Sequence, residues 1–508
     1  MGNMKIFQTI LLILVITGST LMADIIVDAN SVDPNVPNNI QEAIDNSRDP
    51  NTIIVNPGIY EEHIDYHGRA ITITSKDPND PNIVNNTIID GNNVGKVIEF
   101  CNTEQSRSVL RGITIRGGDI GIHCEGNSVA PRIERCIINL NRIGVMCTDG
   151  ANITITDTII SKNTEHGTSG CIGKLERCTI IENGQEGIHN LVGTVIDCDV
   201  YGNMSHGISC SGNSIDLKES NIYENGGNGI CANGSMISLL MCTVSGNKSS
   251  GICIGDGSID MKNCIVSGNE GHGIFSETGR ATVVINCTII GNKGSGLHFL
   301  IPPNLISGNI IAQNMNDGIY AYSHNSNNME KSFVTYNNIF ANRGSAYSGS
   351  MLGIKNLRHN MEEKPWFAEN GYWDKNEIPD GPDENFWVEG DYHLRSEAGR
   401  WDSLTQTWVM DDVTSPCLDS GDPDMPVGQE PNPNGGRINL GAYGGTAEAS
   451  KSAGVQTICT EYPEMDFNND CKVDQLDLEL FMEHWLECNL DPQDACWPDG
   501  IPEYPLLQ

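Results

Sequence analysis

The chain repeats itself. From Cys242 it reads CTVSGNKSSGIC, from Cys264 CIVSGNEGHGIF, and from Cys287 CTIIGNKGSGLH. This phrase, Cys-x-hydrophobic-x-x-Asn-x-x-x-Gly-hydrophobic, returns after 22 and then 23 residues. The same register recurs at Cys136–Asn141, Cys178–Asn183 and Cys198–Asn203. Degenerate copies start at Asp157, Ser220, Asn309 and Asn337, and weaker ones at Gly112 and Asn86. A fixed period of this length specifies a solenoid, in which each repeat buries its apolar face only by stacking on its neighbours. One period, Gly207–Asn225, holds Ile208 after its Gly, the alternating run Ile215-Asp216-Leu217, and Ile222. Such short β-branched runs, bounded by Gly, Asn or Ser, are strands and not helices. A leucine-rich-repeat phrase is absent. Three short strands per turn, with no helix between them, close only as a coil of parallel strands. The recurrent Asn then falls at a bend, where its side chain bonds backbone and tolerates unusual dihedrals. The following Gly supplies a position free of Cβ crowding.

This pattern resembles the right-handed parallel β-helix of pectate-lyase-like proteins, over roughly residues 25–450. The resemblance implies an all-β, single-stranded solenoid of about eleven coils, near 22 residues each. At ~4.8 Å between neighbouring strands the shaft is expected to be on the order of 50 Å long.

The formal charge of −36 argues against nucleic acid and anionic membrane surfaces as partners. It argues more weakly against polyanionic substrates, unless a cation intervenes. Residues 1–23 read as a secretory signal peptide: Lys5, the apolar run Ile10–Ile16, then a small-residue region ending at Ala23. No Cys follows to take a lipid, and no later apolar segment approaches membrane length. The mature chain is expected to start near Asp24 and to be exported. Of its 18 cysteines, 13 lie in the repeat region. Cys136, Cys178, Cys198, Cys242, Cys264 and Cys287 open the same strand, which predicts stacked, inward-facing thiols acting as small hydrophobes. Cys231 and Cys253 stand two residues after the repeat Gly, facing outward on adjacent coils, placed to pair or to bind a soft metal.

Ahead of the repeats, Asn38 or Asn39 is an N-cap for a short helix from Ile40 that is expected to cover the open end of the coil. A proline- and Asp-rich loop follows at Lys76–Asn82. From residue 351 to 450 the composition shifts. Trp366, Trp373, Trp387, Trp401 and Trp408 cluster there, as packing for irregular closing coils and a cap. The phrases Asp419-Ser-Gly-Asp-Pro and Gly435-Gly-Arg-Ile-Asn-Leu-Gly-Ala-Tyr-Gly-Gly resemble the closing coils of large secreted bacterial β-helix proteins. In that family a short tail domain often follows. Here 451–460 reads as a linker and 461–508 as the tail.

The tail carries oxygen-bearing side chains at positions 1, 3, 5, 9 and 12 of a loop: Asp466, Asn468, Asp470, Asp474 and Asp477. Calcium takes six to eight hard oxygens, and this spacing wraps one ion. Leu478, Phe481, Met482 and Trp485 then give an exiting helix one apolar face. The segment resembles the calcium loop of dockerin modules. By that resemblance Asp466, Asn468, Asp470 and Asp477 coordinate through side chains, Lys472 through its carbonyl, and Asp474 directly or through water. Cys471 stands where the family has Gly, and only one loop is convincing, so docking to a cohesin-like partner is the weaker implication.

On the shaft, Gly271-His272-Gly273 looks like a polygalacturonase phrase, but His166-Gly167 and His206-Gly207 fill the same slot, so it reads as periodic punctuation. No paired carboxylates of a glycosidase precede it. Arg132, Arg135 and Arg177 with Glu134 and Glu176 form a charged patch, read as solvated ion pairs. The candidate substrate-binding residues are His123, His189, Phe275, His298 and Tyr320. Each lies two residues past a repeat Gly, so together they predict one outer column of imidazoles and rings suited to sugar stacking and hydrogen bonding. The sequence therefore points to an extracellular polysaccharide-binding β-helix, with lyase or glycosidase chemistry as its catalytic option. A non-catalytic surface spacer is the alternative.

Overall fold

The computed structural model describes residues 24–277, 282–322, 333–353, 357–376 and 384–452. The chain winds through three sheets in turn, and after Ile25–Val27, which pairs with the next strand, each strand of the coil pairs with the strand three places further along. Sheet A has 15 strands, from Ile25–Val27 to Leu357–Arg358. Sheet B has 13, from Gly58–Tyr60 to Asn338–Phe340, and sheet C has 13, from Ile64–Asp65 to Tyr347–Gly349. Neighbours within each sheet are parallel. This makes about 12 turns, slightly more than the repeat count, because the coil through Thr52–Val55 lacks the Cys and Asn positions.

The core is a stack of aliphatic rows. In sheet A, Ile133, Ile155, Leu175, Val195, Leu217, Leu239 and Met261 stand in register at 0–1% exposure. Strand Ser214–Lys218 alternates exposed and buried residues, the period-two pattern of a half-buried strand. Each such side chain withdrawn from water contributes roughly 1.5–3 kcal/mol.

Two bends are held by side-chain ladders. At the bend between sheets B and C, the backbone N–H and Nδ2 of Asn203 both donate to Asn225 Oδ1, at 3.2 and 3.0 Å. Asn225 repeats this toward Asn247, at 3.1 and 3.0 Å. Steps along this ladder span 20, 22, 23 and 28 residues, so coil length varies while the bend is kept. The left-handed dihedral falls on the residue before the Asn (Glu182 φ 53°, Glu224 φ 52°) and not on the Asn itself. The Gly is needed for close approach: a Cβ on Gly207 would lie 2.7 Å from Asn225 Nδ2.

The bend between sheets A and B uses the cysteines. The Cys178 and Cys242 N–H groups donate to Sγ of Cys198 (3.3 Å) and Cys264 (3.4 Å). Thr158, Ser220 and Asn309 supply an oxygen at the equivalent place on other coils. The thiols face inward as expected, and they also serve as acceptors.

A helix forms at Ile40–Asn46, with Asn39 Oδ1 accepting the Glu42 N–H at 2.7 Å. A second helix, Pro81–Asn86, begins inside the expected loop. Asp80 caps it and Pro81 opens it, a start signal that the Asp/Pro-rich reading passed over.

The coil runs on to Met361, which pairs in parallel with Asn338 of sheet B, while Asn360 accepts the Asn337 N–H at the A–B bend. The described chain beyond residue 363 adds no strand to the three sheets. It lies against the outer side of sheet B, where Phe367, Tyr392, Leu394, Leu418 and Leu440 cluster on Ile290, Ile310 and Ala312. Asn263 Nδ2 donates to the carbonyls of Ala442 and Gly444 at 2.8 and 2.7 Å, and Trp373 Nε1 to that of Gly291 at 2.8 Å. Trp387 lies over Gly268 and Gly291 and meets Trp373 edge-on, so these two indoles are packing groups. The expected signal peptide, nearly all of the linker, and the calcium loop from Asp466 to Asp477 lie outside the described residues. No helix among the described residues is long and apolar enough to cross a membrane.

Candidate functional site

In sheet C the residue after the repeat Gly points into the core and the next points out. Strand register sets Glu99, His123, Met146, Ser169, His189 and Ser209 in one outward row. The row continues through Cys231, Cys253, Phe275, His298 and Tyr320. All five sequence-predicted residues therefore share a row, in two groups. Ser209, Cys231 and Cys253 separate His189 from Phe275 by roughly 19 Å at ~4.8 Å per strand. His123 is only 5% exposed, which leaves it little surface to offer a ligand.

The slot before the repeat Gly, read in the sequence as periodic punctuation, forms a second row. The residue just before the repeat Gly turns its side chain to the next coil's backbone. His206 Nδ1 accepts the Asn228 N–H at 2.9 Å, Asn228 Oδ1 that of Ser250 at 2.9 Å, and His272 Nδ1 that of Ser295 at 3.0 Å. His272 of the Gly-His-Gly phrase is thus a rung of a structural ladder. Its recurrence with His166 and His206 was the available signal.

The two rows touch diagonally. His272 meets His298 at 4.3 Å between ring centroids, His298 meets Phe275 at 5.4 Å, and His298 meets Tyr320 at 4.5 Å with 24° between planes. Rings stacked along the shaft give their faces to one another and only their edges to solvent. This edge carries polar atoms, the imidazole nitrogens and the Tyr320 hydroxyl. Burial, aided by His298, pushes His272 down to about 4. Burial also lowers His298 and His189. Near neutral pH these imidazoles are uncharged, each with one donor and one acceptor nitrogen. Of these, His272 Nδ1 is already taken by the Ser295 N–H, and the Nδ1 atoms of His189 and His298 are shielded from solvent. Further along, contact with Cys253 and then His206 draws the Cys231 thiol below the usual range.

The charged patch lies on sheet A and its bend. Glu134 accepts from Arg111 at 2.8 Å and from Arg132. Arg177 pairs with Asp157 at 2.7 Å and Glu176 at 2.8 Å. The Arg177 pairs are exposed, as the solvated reading expects, whereas Glu134 is buried beneath its two arginines.

The family model described as "Right handed beta helix region" matches residues 69–217 and 206–356, more than half of the chain. The protein belongs to that family. Its shaft is accordingly a right-handed parallel β-helix. No curated protein sequence matches the chain. Among solved structures, the A-module of the mannuronan C-5 epimerase AlgE4 of Azotobacter vinelandii is similar at 14% identity and a TM-score of 0.42. The match covers 61% of this chain and 95% of that one. Pectate lyase Pel9A is similar at 12% identity, covering 83% and 96%, with a TM-score of 0.38. A mutant of the PL6 family alginate lyase AlyGC is similar at 11% identity, covering 78% and 57%, with a TM-score of 0.43.

Proposed function

We propose that this protein is an exported polysaccharide-binding β-helix that holds an extended glycan along the outer side of sheet C. The observation carrying this reading is the in-register run of Phe275, His298 and Tyr320, with His272 against His298 from the neighbouring row, so that imidazoles and a tyrosine hydroxyl lie along one outward face. Edges repeating at strand spacing suit a chain of pyranose units, whose hydroxyls need one donor or acceptor per step. Uncharged imidazoles on a chain of net charge −36 favour a neutral glycan, or a uronate reached through a cation. Lyase or glycosidase chemistry remains the catalytic extension of this reading. The tail is proposed to bind one calcium ion through Asp466, Asn468, Asp470, Lys472, Asp474 and Asp477, and to dock the shaft to a surface or a cohesin-like partner.

The deciding experiment passes the purified protein, with calcium, over columns of neutral and uronic-acid polysaccharides. Unsaturated product and new reducing ends are followed in parallel. Retention on a glycan, weakened by His298→Ala, is the expected result. Absence of retention and of product on every glycan would overturn the reading and leave a spacer. Calcium uptake by the full chain, lost in Asp466→Ala, tests the tail separately.

A further inference from the structure

We propose that His166, Glu186 and His189 form a binding site for a divalent transition-metal ion of the zinc class on the outer face of the shaft. Their ligand atoms lie within 4.8 Å of one another across two successive coils. His166 Nδ1 stands 2.9 Å from Glu186 Oε2, and the two imidazoles stack at 4.5 Å between centroids. The other carboxylate oxygen, Oε1, accepts from Ser205 Oγ at 3.1 Å, the kind of outer partner that orients a metal-bound carboxylate.

A separate observation points to a ligand. His189 Nδ1 is shielded from solvent and makes no hydrogen bond, and the equally shielded His166 Nδ1 has only the Glu186 carboxylate beside it. A buried polar atom left unpaired costs about 1–3 kcal/mol, and an ion bound by His189 Nδ1 would satisfy it. Two imidazole nitrogens and one carboxylate oxygen match zinc, cobalt or nickel, whereas calcium and magnesium demand oxygen donors throughout. Three protein ligands also leave a coordination position open toward solvent.

The geometry sets what loading must change. A metal lies in the plane of each imidazole that binds it, and stacked rings do not share a plane. One ring therefore turns about its soft χ2 torsion. Asn190 Nδ2 lies 3.0 Å from His189 Nε2, while Asn190 Oδ1 accepts the Ser211 N–H at 3.0 Å. Ligation through His189 Nδ1 moves the ring proton to Nε2, and Asn190 turns its amide to accept it. The other grouping of this kind, Glu99, His123 and Glu125, is weaker because the Lys96 ammonium already pairs with Glu99.

The test titrates the metal-stripped full chain with cobalt(II) in excess calcium, which occupies oxygen-only sites. Visible d–d absorption reports the bound ion, and a near-ultraviolet thiolate band would report capture by Cys231 or Cys253 instead. The expected result is a single saturable equivalent, displaced by zinc, without thiolate character and unchanged in Cys231→Ser. His166→Gln and Glu186→Gln should each weaken binding at least about tenfold. X-ray absorption of the zinc-loaded wild-type chain should show nitrogen and oxygen ligands only, a readout that needs no variant. No saturable binding, thiolate ligation, or affinity unchanged in His166→Gln with native circular dichroism would each overturn the proposal.

Discussion

Sheets B and C have the same number of strands and the same parallel register, yet among the described residues only sheet B is covered. Early in sheet B, strand Asn221–Tyr223 is buried only at its central residue. Later, Thr288–Ile290 and Ile310–Ala312 are buried throughout, because the segment after residue 363 lies on them. Sheet C keeps its alternation through Ile319–Ala321, with Phe275, His298 and Tyr320 each half-buried between buried neighbours. The coil itself needs only the inward residue of each strand. A strand that turns apolar on its outward side as well is covered by something else, whereas one that keeps polar groups there can stay open to solvent.

The contrast can be broken most forcefully at the cover. Phe367 is 3% exposed and meets Tyr392 edge-on at 5.2 Å. Phe367→Ala should destabilise the protein by about 3–5 kcal/mol in denaturant unfolding. A loss below about 1 kcal/mol would mean the cover adds little to the coil.

A smaller effect is expected from the coil side of the same contact. Gly291 has φ 67°, and a Cβ there would run into the Trp387 ring. Gly291→Ala should cost on the order of 2 kcal/mol, from left-handed strain and a displaced indole. Quenching of tryptophan fluorescence should change with it.

The cover also carries a pH dependence. Burial raises Glu430 to about 7, against two backbone N–H bonds from Asn439 and Gly445 that pull it down. Its folded-state pKa lies above the unfolded value near 4.5, so the folded protein binds the proton more tightly. The stability this gives is full below about pH 4.5 and is lost as pH rises through about 7. Glu430→Gln should therefore gain on the wild type by on the order of 2 kcal/mol between pH 5 and pH 8. Parallel unfolding curves at the two pH values would refute the shift.

The smallest stability effect belongs to sheet C. His298→Ala should change unfolding free energy by less than about 1 kcal/mol while glycan retention falls. A large loss of stability with retention intact would make sheet C a second structural face.

Much of this was legible because a solenoid copies its rules into every repeat. Asn203, Asn225 and Asn247 recur because each buried amide must bond the next, and Gly207 because a neighbouring amide approaches it closely. The outward row from His123 to Tyr320 followed from the same spacing. The ring-on-ring stacking did not, since it depends on side chains from two rows meeting diagonally. The helix at Pro81–Asn86 was legible in principle from Asp80-Pro81, as was the covered flank from the apolar runs Thr288–Ile290 and Ile310–Ala312.

The period alone determined the parallel coil, its aliphatic interior and the residues that share a face, because stacking forces equivalent positions into register. The path of residues 359–452, the burial of His123 and the meeting of His166 with Glu186 and His189 were decided by tertiary structure. These depend on where side chains turn and on how much room each coil leaves the next; the period puts His166 and Glu186 in the same place before the repeat Gly but does not say that they meet.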